Sequence, residues 1–294
     1  MIIDVHTHAF PAPAVADPDG WSRRAGENHW RRLVLPAEGR PSLQGWVEQG
    51  EFLVGMDRNR IDHCVLLGWY WENPDSCDIQ NREMARWTEE RPDRFSAFAA
   101  VHPDGGTPAE WIDRALSAGF RGFGELLPAV QGRPLADPFW DELAEGAAEA
   151  GLAFNFHVSE PVGRPHPGRV ATPFEEFQLF VDRHPGLTTI LSHWGGGLFL
   201  SELNPFVRKR FANVYYDCSA SPLLYDRKIF EIAVRAVGAE KILFGSDYPL
   251  RLYPRQERSP GWKRFLAEIE GAGLSPADRR KLLGENARRV LRLP

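Results

Sequence analysis

Short apolar or β-branched runs recur along the chain, and each is followed by a segment long enough to form a helix. The runs begin near Ile2, Cys64, Phe95, Phe120, Leu152, Leu187, Asn213 and Lys241. From the second run onward, the distance between successive starts matches the length of one βα unit. The pattern therefore predicts eight parallel strands that alternate with helices.

Three of the intervening segments carry clear helix boundaries. Each opens with a polar residue and a proline, which favour the first turn of a helix. Each is followed by a glycine, which favours a left-handed cap or a tight turn. These features predict helices over 109–118, 139–150 and 174–184, with Gly119, Gly151 and Gly186 just beyond them.

Eight βα units can form either a closed barrel or an open doubly wound sheet. The open fold usually binds its cofactor at a glycine-rich turn after the first strand, and this chain has no such turn. The Gly195-Gly196-Gly197 run follows the sixth strand and lacks the spacing of a nucleotide loop. The length of 294 residues is also close to the roughly 250 of one closed barrel. The chain is therefore predicted to be an α/β protein, a (β/α)8 TIM barrel.

We expect a single domain over residues 1–294 with two additions to the barrel. A helical extension at about 275–291 is expected to close the bottom or the flank of the barrel. An insertion at about 10–42, rich in Pro, Arg and Trp, follows the first strand. It is interpreted either as a lid over a pocket or as an ordered segment that packs Trp21, Trp30 and Trp46 on the barrel rim.

Composition and charge narrow the class of partner. Apolar residues make up 43% of the chain and charged residues 26%, which is typical of a folded globular protein. The net charge of −5 provides no positive field for nucleic acid, so we expect a small-molecule substrate, and a homo-oligomer stays open. No apolar run reaches the length of a membrane span, and the N-terminal residues do not read as a secretory signal. We expect a cytoplasmic protein with three reduced cysteines.

Side chains that can bind metal stand at the ends of the predicted strands. His6 and His8 are two residues apart, so that in a strand both can reach one ion. Catalytic groups of a closed barrel come from the C-terminal ends of its strands. Four other candidates each end a predicted strand: Glu125, His157, His193 and Asp247. Four histidines and two carboxylates suit a zinc, manganese or iron ion.

These residues lie in motifs that resemble the amidohydrolase superfamily, specifically the amidohydrolase-2 branch that contains aminocarboxymuconate semialdehyde decarboxylase and resorcylate decarboxylase. The resemblance covers nearly the whole chain. It is carried by Asp4-Val5-His6-Thr7-His8, His157, Ser192-His193-Trp194-Gly195-Gly196-Gly197 and Phe244-Gly245-Ser246-Asp247-Tyr248-Pro249. It implies that His6, His8, His157 and Asp247 bind a divalent metal and that His193 is catalytic or a ligand.

Glu125 departs from this pattern. The resemblance implies no acidic ligand on strand four in the decarboxylases, whereas other branches place a carboxylated lysine or a glutamate there between two metals. A second ion would take Glu125 as a bridge, with His157 and His193 as its remaining ligands. Because a second carboxylate on a single ion would weaken it as a Lewis acid, we favour one ion per chain, zinc before manganese or iron. Glu125 is then expected near the metal rather than on it.

Two reactions fit this site. The favoured hypothesis is hydrolysis of a small cyclic, amide or ester substrate through a metal-activated water, because the strand-four carboxylate is absent from the decarboxylases. Asp247, His193 and Glu125 are the predicted catalytic residues, with Asp247 as proton acceptor and His193 as donor. The alternative is nonoxidative decarboxylation of an aromatic or unsaturated carboxylic acid. The second alternative is a non-catalytic metal-binding barrel.

The loops beyond the strands supply candidate substrate contacts. The aromatic run Trp69-Tyr70-Trp71 after the second strand, and Trp194 after the sixth, can wall a flat ligand. Arg164 and Arg251 can bind a carboxylate or a phosphate, and Glu160 follows His157 closely. Asp217, which ends the seventh strand, points to the same rim and is assigned no further role.

Overall fold

The computed structural model describes residues 1–36, 41–166 and 168–293, and eight strands form among them. They are β1 (Ile3–Thr7), β2 (His63–Leu67), β3 (Phe95–Phe98), β4 (Gly122–Leu126), β5 (Ala153–Phe156), β6 (Thr189–Leu191), β7 (Val214–Asp217) and β8 (Ile242–Leu243). All six strand pairings within the two sheets, β1 to β3 and β4 to β8, are parallel. Each strand lies at or within a few residues of a predicted apolar run.

Backbone hydrogen bonds close both gaps between the two sheets. Between β3 and β4, the Ala99 nitrogen donates to the Gly122 oxygen at 2.8 Å. Between β8 and β1, the Val5 nitrogen donates to the Phe244 oxygen at 2.8 Å, and the Asp247 nitrogen donates to the His6 oxygen at 2.8 Å. The eight strands therefore form a closed ring in chain order, and the predicted (β/α)8 barrel is confirmed.

Helices precede, connect and follow the strands. In the described residues they are α1 (Ala12–Ala16), α2 (Pro18–Ala25), α3 (Asn28–Val34), α4 (Gln49–Asn59), α5 (Pro74–Glu90), α6 (Pro108–Ser117), α7 (Pro138–Ala150), α8 (Phe174–Arg183), α9 (Ser192–Gly195), α10 (Pro205–Arg210), α11 (Ser221–Leu224), α12 (Ile229–Val237), α13 (Lys263–Glu270), α14 (Pro276–Arg280) and α15 (Asn286–Leu291). Short 3-10 segments cover Pro103–Gly105, Leu198–Leu203 and Ala239–Lys241, and a π-helical turn over Lys281–Glu285 joins α14 to α15. No helix of this part of the chain is long and apolar enough to cross a membrane.

The three predicted glycines adopt the two conformations that were expected of them. Gly119 and Gly151 follow α6 and α7 with left-handed φ values of 69° and 70°. Gly186 lies in a turn after the end of α8 at Arg183, where the Leu187 nitrogen donates to the His184 oxygen at 3.1 Å. A glycine near a helix end therefore marks the boundary but does not fix the cap geometry.

The lower part of the barrel interior is an apolar layer closed by the C-terminal helix. The layer contains Ile3, Val5, Val65, Leu67, Phe98, Ala153, Ile190 and Leu243, and it packs against Ala287, Leu291 and Leu293. A Cβ at Gly284 would lie 2.9 Å from the Met1 oxygen, so the extension approaches the start of β1 closely. The sequence leaves the bottom and the flank of the barrel open for this extension, and in the structure the extension lies at the bottom.

The insertion after β1 folds into α1, α2 and α3 and packs on the opposite end of the barrel. Its tryptophans meet one another and the loop after β2, with ring centroids 5.5 Å apart for Trp21 and Trp30 and 5.7 Å for Trp30 and Trp46. Residues 37–40 of the predicted insertion lie outside the described residues. Leu33 and Leu35 of the same segment line a cavity at this end of the barrel. The insertion thus packs its tryptophans on the rim and also contributes to the wall of a cavity.

Candidate metal centre

The two histidines at the end of β1 each have one ring nitrogen that forms no hydrogen bond with the described part of the chain. His6 Nδ1 lies 2.9 Å from Asp217 Oδ2, and His8 Nδ1 lies 3.2 Å from the Leu67 oxygen. The Nε2 atoms of His6 and His8 are buried without a hydrogen-bond partner in the described residues. Buried polar atoms are normally paired, and a metal-ligating histidine uses its other nitrogen for a carboxylate or a carbonyl. Both histidines therefore fit as metal ligands.

Two carboxylates complete the set around these nitrogens. Asp247 Oδ1 lies 3.4 Å from His8 Nε2 and 3.8 Å from His6 Nε2. Potential ligand atoms lie within 4.8 Å of one another in two groups, His6 with His8 and Asp247, and His6 with Glu125 and His193. A mixed set of imidazole nitrogens and carboxylate oxygens suits a divalent metal ion, so the residues present fit the expected cofactor.

Glu125 belongs to the second of these groups, and its carboxylate contacts three histidines. Its Oε2 is 3.8 Å from His6 Nε2, and its Oε1 is 2.9 Å from His157 Nδ1 and 3.3 Å from His193 Nε2. Burial alone raises the pKa of the Glu125 carboxyl, but His157 and His6 outweigh it and hold that pKa well below its ordinary value. The structure thus places Glu125 among the candidate ligands rather than beside them. His157 belongs to neither group, but its Nδ1 lies 3.2 Å from His193 Nε2 as well as beside Glu125.

We refer to His6, His8, Glu125, His157, His193 and Asp247 as the ligand cluster. The sequence predicted all six, and the structure brings them together at the C-terminal ends of β1, β4, β5, β6 and β8. They meet because parallel strands of a closed barrel end on the same side.

A tight turn after β6 directs His193 into the cluster. His193 and Trp194 have left-handed φ values of 57° and 61°, and Gly195 and Gly196 continue the left-handed run. A Cβ at Gly196 would lie 2.7 Å from the Ser159 oxygen, which explains the glycine there. The glycine run therefore shapes this turn. Left-handed φ at two non-glycine residues is strained backbone of the kind that concentrates at functional sites.

Asp217, at the end of β7, supports the cluster from behind. Its Oδ2 pairs with His6 Nδ1. Its Oδ1 accepts hydrogen bonds from the backbone nitrogen of His193 and from the hydroxyl of Ser219. Ser219 Oγ in turn lies 2.9 Å from His193 Nδ1. Burial raises the pKa of Asp217, but His6 outweighs it and the pKa lies below its ordinary value. The sequence indicated only the strand-end position of Asp217, since its two histidine partners lie far away along the chain.

A cavity of about 320 Å³ opens above the ligand cluster. Glu125, His157, His193 and Asp247 form part of its lining, together with Arg32, Leu33, Leu35, Trp69, Tyr70, Ser159, Glu160, Arg164, Leu223, Tyr225 and Leu250. Three predicted substrate contacts, Trp69, Glu160 and Arg164, thus lie at the cavity. Tyr70, which the sequence indicated together with Trp69, stacks on Trp69 with centroids 4.4 Å apart and lines the same cavity.

Two predicted substrate contacts lie elsewhere. Trp194 is fully buried, donates a hydrogen bond from Nε1 to Ser221 Oγ at 2.9 Å and packs on Phe230 with centroids 5.2 Å apart. The left-handed turn sends His193 to the cavity and the next side chain into the core. Arg251 is not among the residues that line the cavity, and its backbone nitrogen donates to the Leu43 oxygen at 2.8 Å. These two placements correct the prediction.

Comparison with known proteins identifies the family. A family model described as Amidohydrolase matches residues 3–293, and the chain therefore belongs to this family, as its motifs predicted. The chain is 26% identical over 260 residues to gamma-resorcylate decarboxylase of Rhizobium sp. (strain MTP-10005), covering 72% of this chain and 75% of that protein. It is 24% identical over 345 residues to 2-amino-3-carboxymuconate-6-semialdehyde decarboxylase of Dictyostelium discoideum, covering 99% and 91%. Membership of this family supports an enzyme over the non-catalytic metal-binding barrel that the sequence left as an alternative.

Solved structures share the fold. The crystal structure of 5-carboxyvanillate decarboxylase from Sphingomonas paucimobilis matches with a TM-score of 0.75 and 20% identity, covering 100% of this chain and 99% of that one. A dihydroxybenzoic acid decarboxylase from Polaromonas sp. JS666, solved with bound manganese and 2-nitroresorcinol, matches with a TM-score of 0.68 and 19% identity, covering 99% and 96%. At these identities the likeness establishes the barrel fold alone.

Proposed function

We propose that this protein is a divalent-metal-dependent nonoxidative decarboxylase of an aromatic or unsaturated carboxylic acid. The observation that carries the proposal is the cavity directly above the ligand cluster, whose wall combines Trp69 and Tyr70 with the aliphatic Leu33, Leu35 and Leu223. Such a wall accommodates a flat, unsaturated ring. The similar curated proteins are decarboxylases, which favours this reaction over the hydrolysis that the sequence first suggested.

The ion would be held by His6, His8 and Asp247, the group with two partnerless Nε2 atoms. When bound, a divalent ion supplies a Lewis acid that holds and polarises substrate oxygens. Carboxylate ligands suit manganese as well as zinc, and the structural neighbour with manganese makes that metal the first to test. We propose one ion per chain. The second group of candidate ligands, His6 with Glu125 and His193, is the observation that favours a second ion.

The residues of this chain would manage the proton and the solvent. When the bond between the carboxylate carbon and the ring carbon breaks, carbon dioxide leaves and its bonding electrons stay on the ring carbon. His193, at the cavity surface beside Glu125, would donate the proton that this carbon takes up and then recover one from solvent. The apolar wall would exclude water and desolvate the substrate carboxylate, which favours a transition state with dispersed charge.

Hydrolysis is the second candidate, and Glu125 favours it. This carboxylate lies at the floor of the cavity within 3.3 Å of two histidine nitrogens, where it can orient a water molecule. Asp247 would accept the proton of that water, and His193 would donate to the leaving group. The same residues would then act on a cyclic ester or an amide of comparable size.

The two reactions are separated by their products. Protein loaded with manganese or zinc is incubated with hydroxylated benzoic acids and, in parallel, with lactones and amides of similar size. Release of carbon dioxide from a ring acid, lost in His193→Asn while the metal content stays unchanged, is the expected result. Hydrolysis products without carbon dioxide from any acid would contradict decarboxylation and leave hydrolysis.

A further inference from the structure

Two polar atoms on the wall of the cavity have no hydrogen-bond partner among the residues that the structure describes. Glu160 Oε1 and the Tyr225 hydroxyl are both shielded from solvent, and neither has a hydrogen bond within the described residues. Both side chains line the same cavity as Glu125 and Asp247. A buried polar group without a partner costs about 1–3 kcal/mol, so two of them on one ligand cavity indicate a group that a ligand satisfies.

The loop that carries Glu160 is held in place by contacts that leave its carboxylate unused. Thr172 Oγ1 accepts a hydrogen bond from the Ser159 nitrogen at 2.9 Å and donates to the Ser159 oxygen at 3.2 Å. The Arg169 guanidinium donates to the backbone oxygens of Glu160 and Gly163. This neighbouring cation therefore binds main-chain carbonyls instead of the carboxylate. Glu160 is positioned before a ligand arrives, which reduces the entropic cost of binding.

Tyr225 brings the complementary group from another loop. It directly follows α11, and its backbone nitrogen donates to the Ser221 oxygen at 2.9 Å. Burial, and then the charge of Glu160, raise the pKa of its hydroxyl well above the ordinary value, so the phenol keeps its proton at neutral pH. The pair thus offers a carboxylate that only accepts hydrogen bonds and a phenol that donates or accepts one.

We propose that Glu160 and Tyr225 form a subsite for an amino or hydroxyl substituent of the substrate. The substituent would donate to the Glu160 carboxylate, and the Tyr225 hydroxyl would complete its hydrogen bonding. A second carboxylate of the substrate at this subsite would be repelled by the negative charge of Glu160. Resting on the proposed function, this assigns the amino or hydroxyl substituent of the ring acid to the side of the cavity formed by Glu160 and Tyr225, and it excludes a second carboxylate from that side.

Binding measurements with simple probes test this subsite without relying on turnover. The metal-loaded full chain is titrated calorimetrically with benzoate, its 3- and 4-amino and 3- and 4-hydroxy derivatives, isophthalate and terephthalate. At least one amino or hydroxy derivative is expected to bind about 10 to 100 times more tightly than benzoate, as hydrogen bonds to a charged group allow. The dicarboxylates are expected to bind no more tightly than benzoate.

Variants assign the preference to its residues. Glu160→Gln and Tyr225→Phe are each expected to bring the ratio of the affinity for the substituted probe to the affinity for benzoate towards one. Glu176→Gln, at an exposed glutamate of α8, serves as the matched control and is expected to keep the full preference. Tyr225→Phe removes a single oxygen atom, so it decides the outcome should Glu160→Gln fold poorly.

Three results would overturn the subsite. They are equal binding of all probes, no binding of any probe, and tightest binding of a dicarboxylate that is lost in Arg164→Gln, which would assign this end of the cavity to Arg164. A preference that persists in a protein that releases no carbon dioxide would count against the proposed function alone. Carbon dioxide release without any preference would count against the subsite alone.

Discussion

The two ends of the barrel interior are built from the same strands, but the lower end buries apolar side chains and the upper end buries charged and polar ones. At the lower end, the apolar layer and the C-terminal helix bury side chains that need only packing partners. At the upper end, Asp217, Glu125 and His6 are buried to a similar degree, but each depends on an oppositely charged or hydrogen-bonding neighbour. The lower end therefore stabilises the fold. At the upper end, the burial of charged and polar groups costs free energy, and these groups serve function instead.

Strand β1 and the residue after it contribute to both ends within a short stretch. Ile3 and Val5 belong to the apolar layer, whereas His6 and His8 belong to the ligand cluster. The pairing of β1 with β2 shifts register between Asp4 and Thr7, where the strand passes from the apolar layer to the ligand cluster. Substitutions at the two ends should therefore separate metal binding from stability.

The largest effect is expected from removing a ligand at the upper end. His6→Ala and Asp247→Ala should each lose metal and with it nearly all turnover, because each deletes a group that faces the other ligand atoms. Metal content by elemental analysis and the rate of carbon dioxide release measure this. Full metal content and normal turnover in either variant would show that the cluster does not bind the ion.

Glu125→Gln tests how many ions the upper end holds and what Glu125 does there. If one ion binds, as we propose, the variant should keep one metal per chain and lose about 10² to 10⁴ in turnover, the range for a positioned acid or base. Metal content and rate should be measured on the wild type and the variant side by side. A fall from two metals per chain to one would show that Glu125 bridges two ions. Unchanged metal and turnover would make it a structural residue.

At the lower end, Phe98→Ala should change stability and leave the metal site intact. Phe98 is fully buried in the apolar layer, and truncation of a buried phenylalanine costs about 3–5 kcal/mol of unfolding free energy. Denaturant unfolding of the metal-free protein measures this cost, and metal titration of the folded variant provides the control. A loss of metal affinity comparable to that of His6→Ala would remove the distinction between the two ends.

Asp217→Asn tests how far the upper end depends on support behind the ligands. Replacing this carboxylate should lower metal affinity about 10- to 100-fold, because it orients His6 and, through Ser219, His193. Competition with a metal chelator measures the affinity. Wild-type affinity in this variant would mean that His6 is positioned without Asp217.

The sequence predicted the features that repeat or that end a strand. Apolar runs located the eight strands, and the polar residues that follow them located the ligand cluster, because the barrel brings all strand ends to one side. The helical extension after 275 was visible from its own pattern.

Features that depend on single backbone angles or on distant partners could not be predicted. His193 and Trp194 are neighbours in the chain, but a left-handed turn sends one to the cavity and the other into the core. Tyr225 reaches the cavity from a short helix with no periodic signal. The contact of Glu125 with both candidate ligand groups depends on distances that no spacing along the chain encodes.

An anomalous difference map from crystals grown with manganese would locate the ion. We predict a peak between His6 Nε2, His8 Nε2 and Asp247 Oδ1, the three atoms that already face one another. A second peak beside Glu125 and His193 would add an ion to this centre. A map at saturating manganese with no peak among these residues, or with its only peak elsewhere on the protein, would contradict the proposed metal centre.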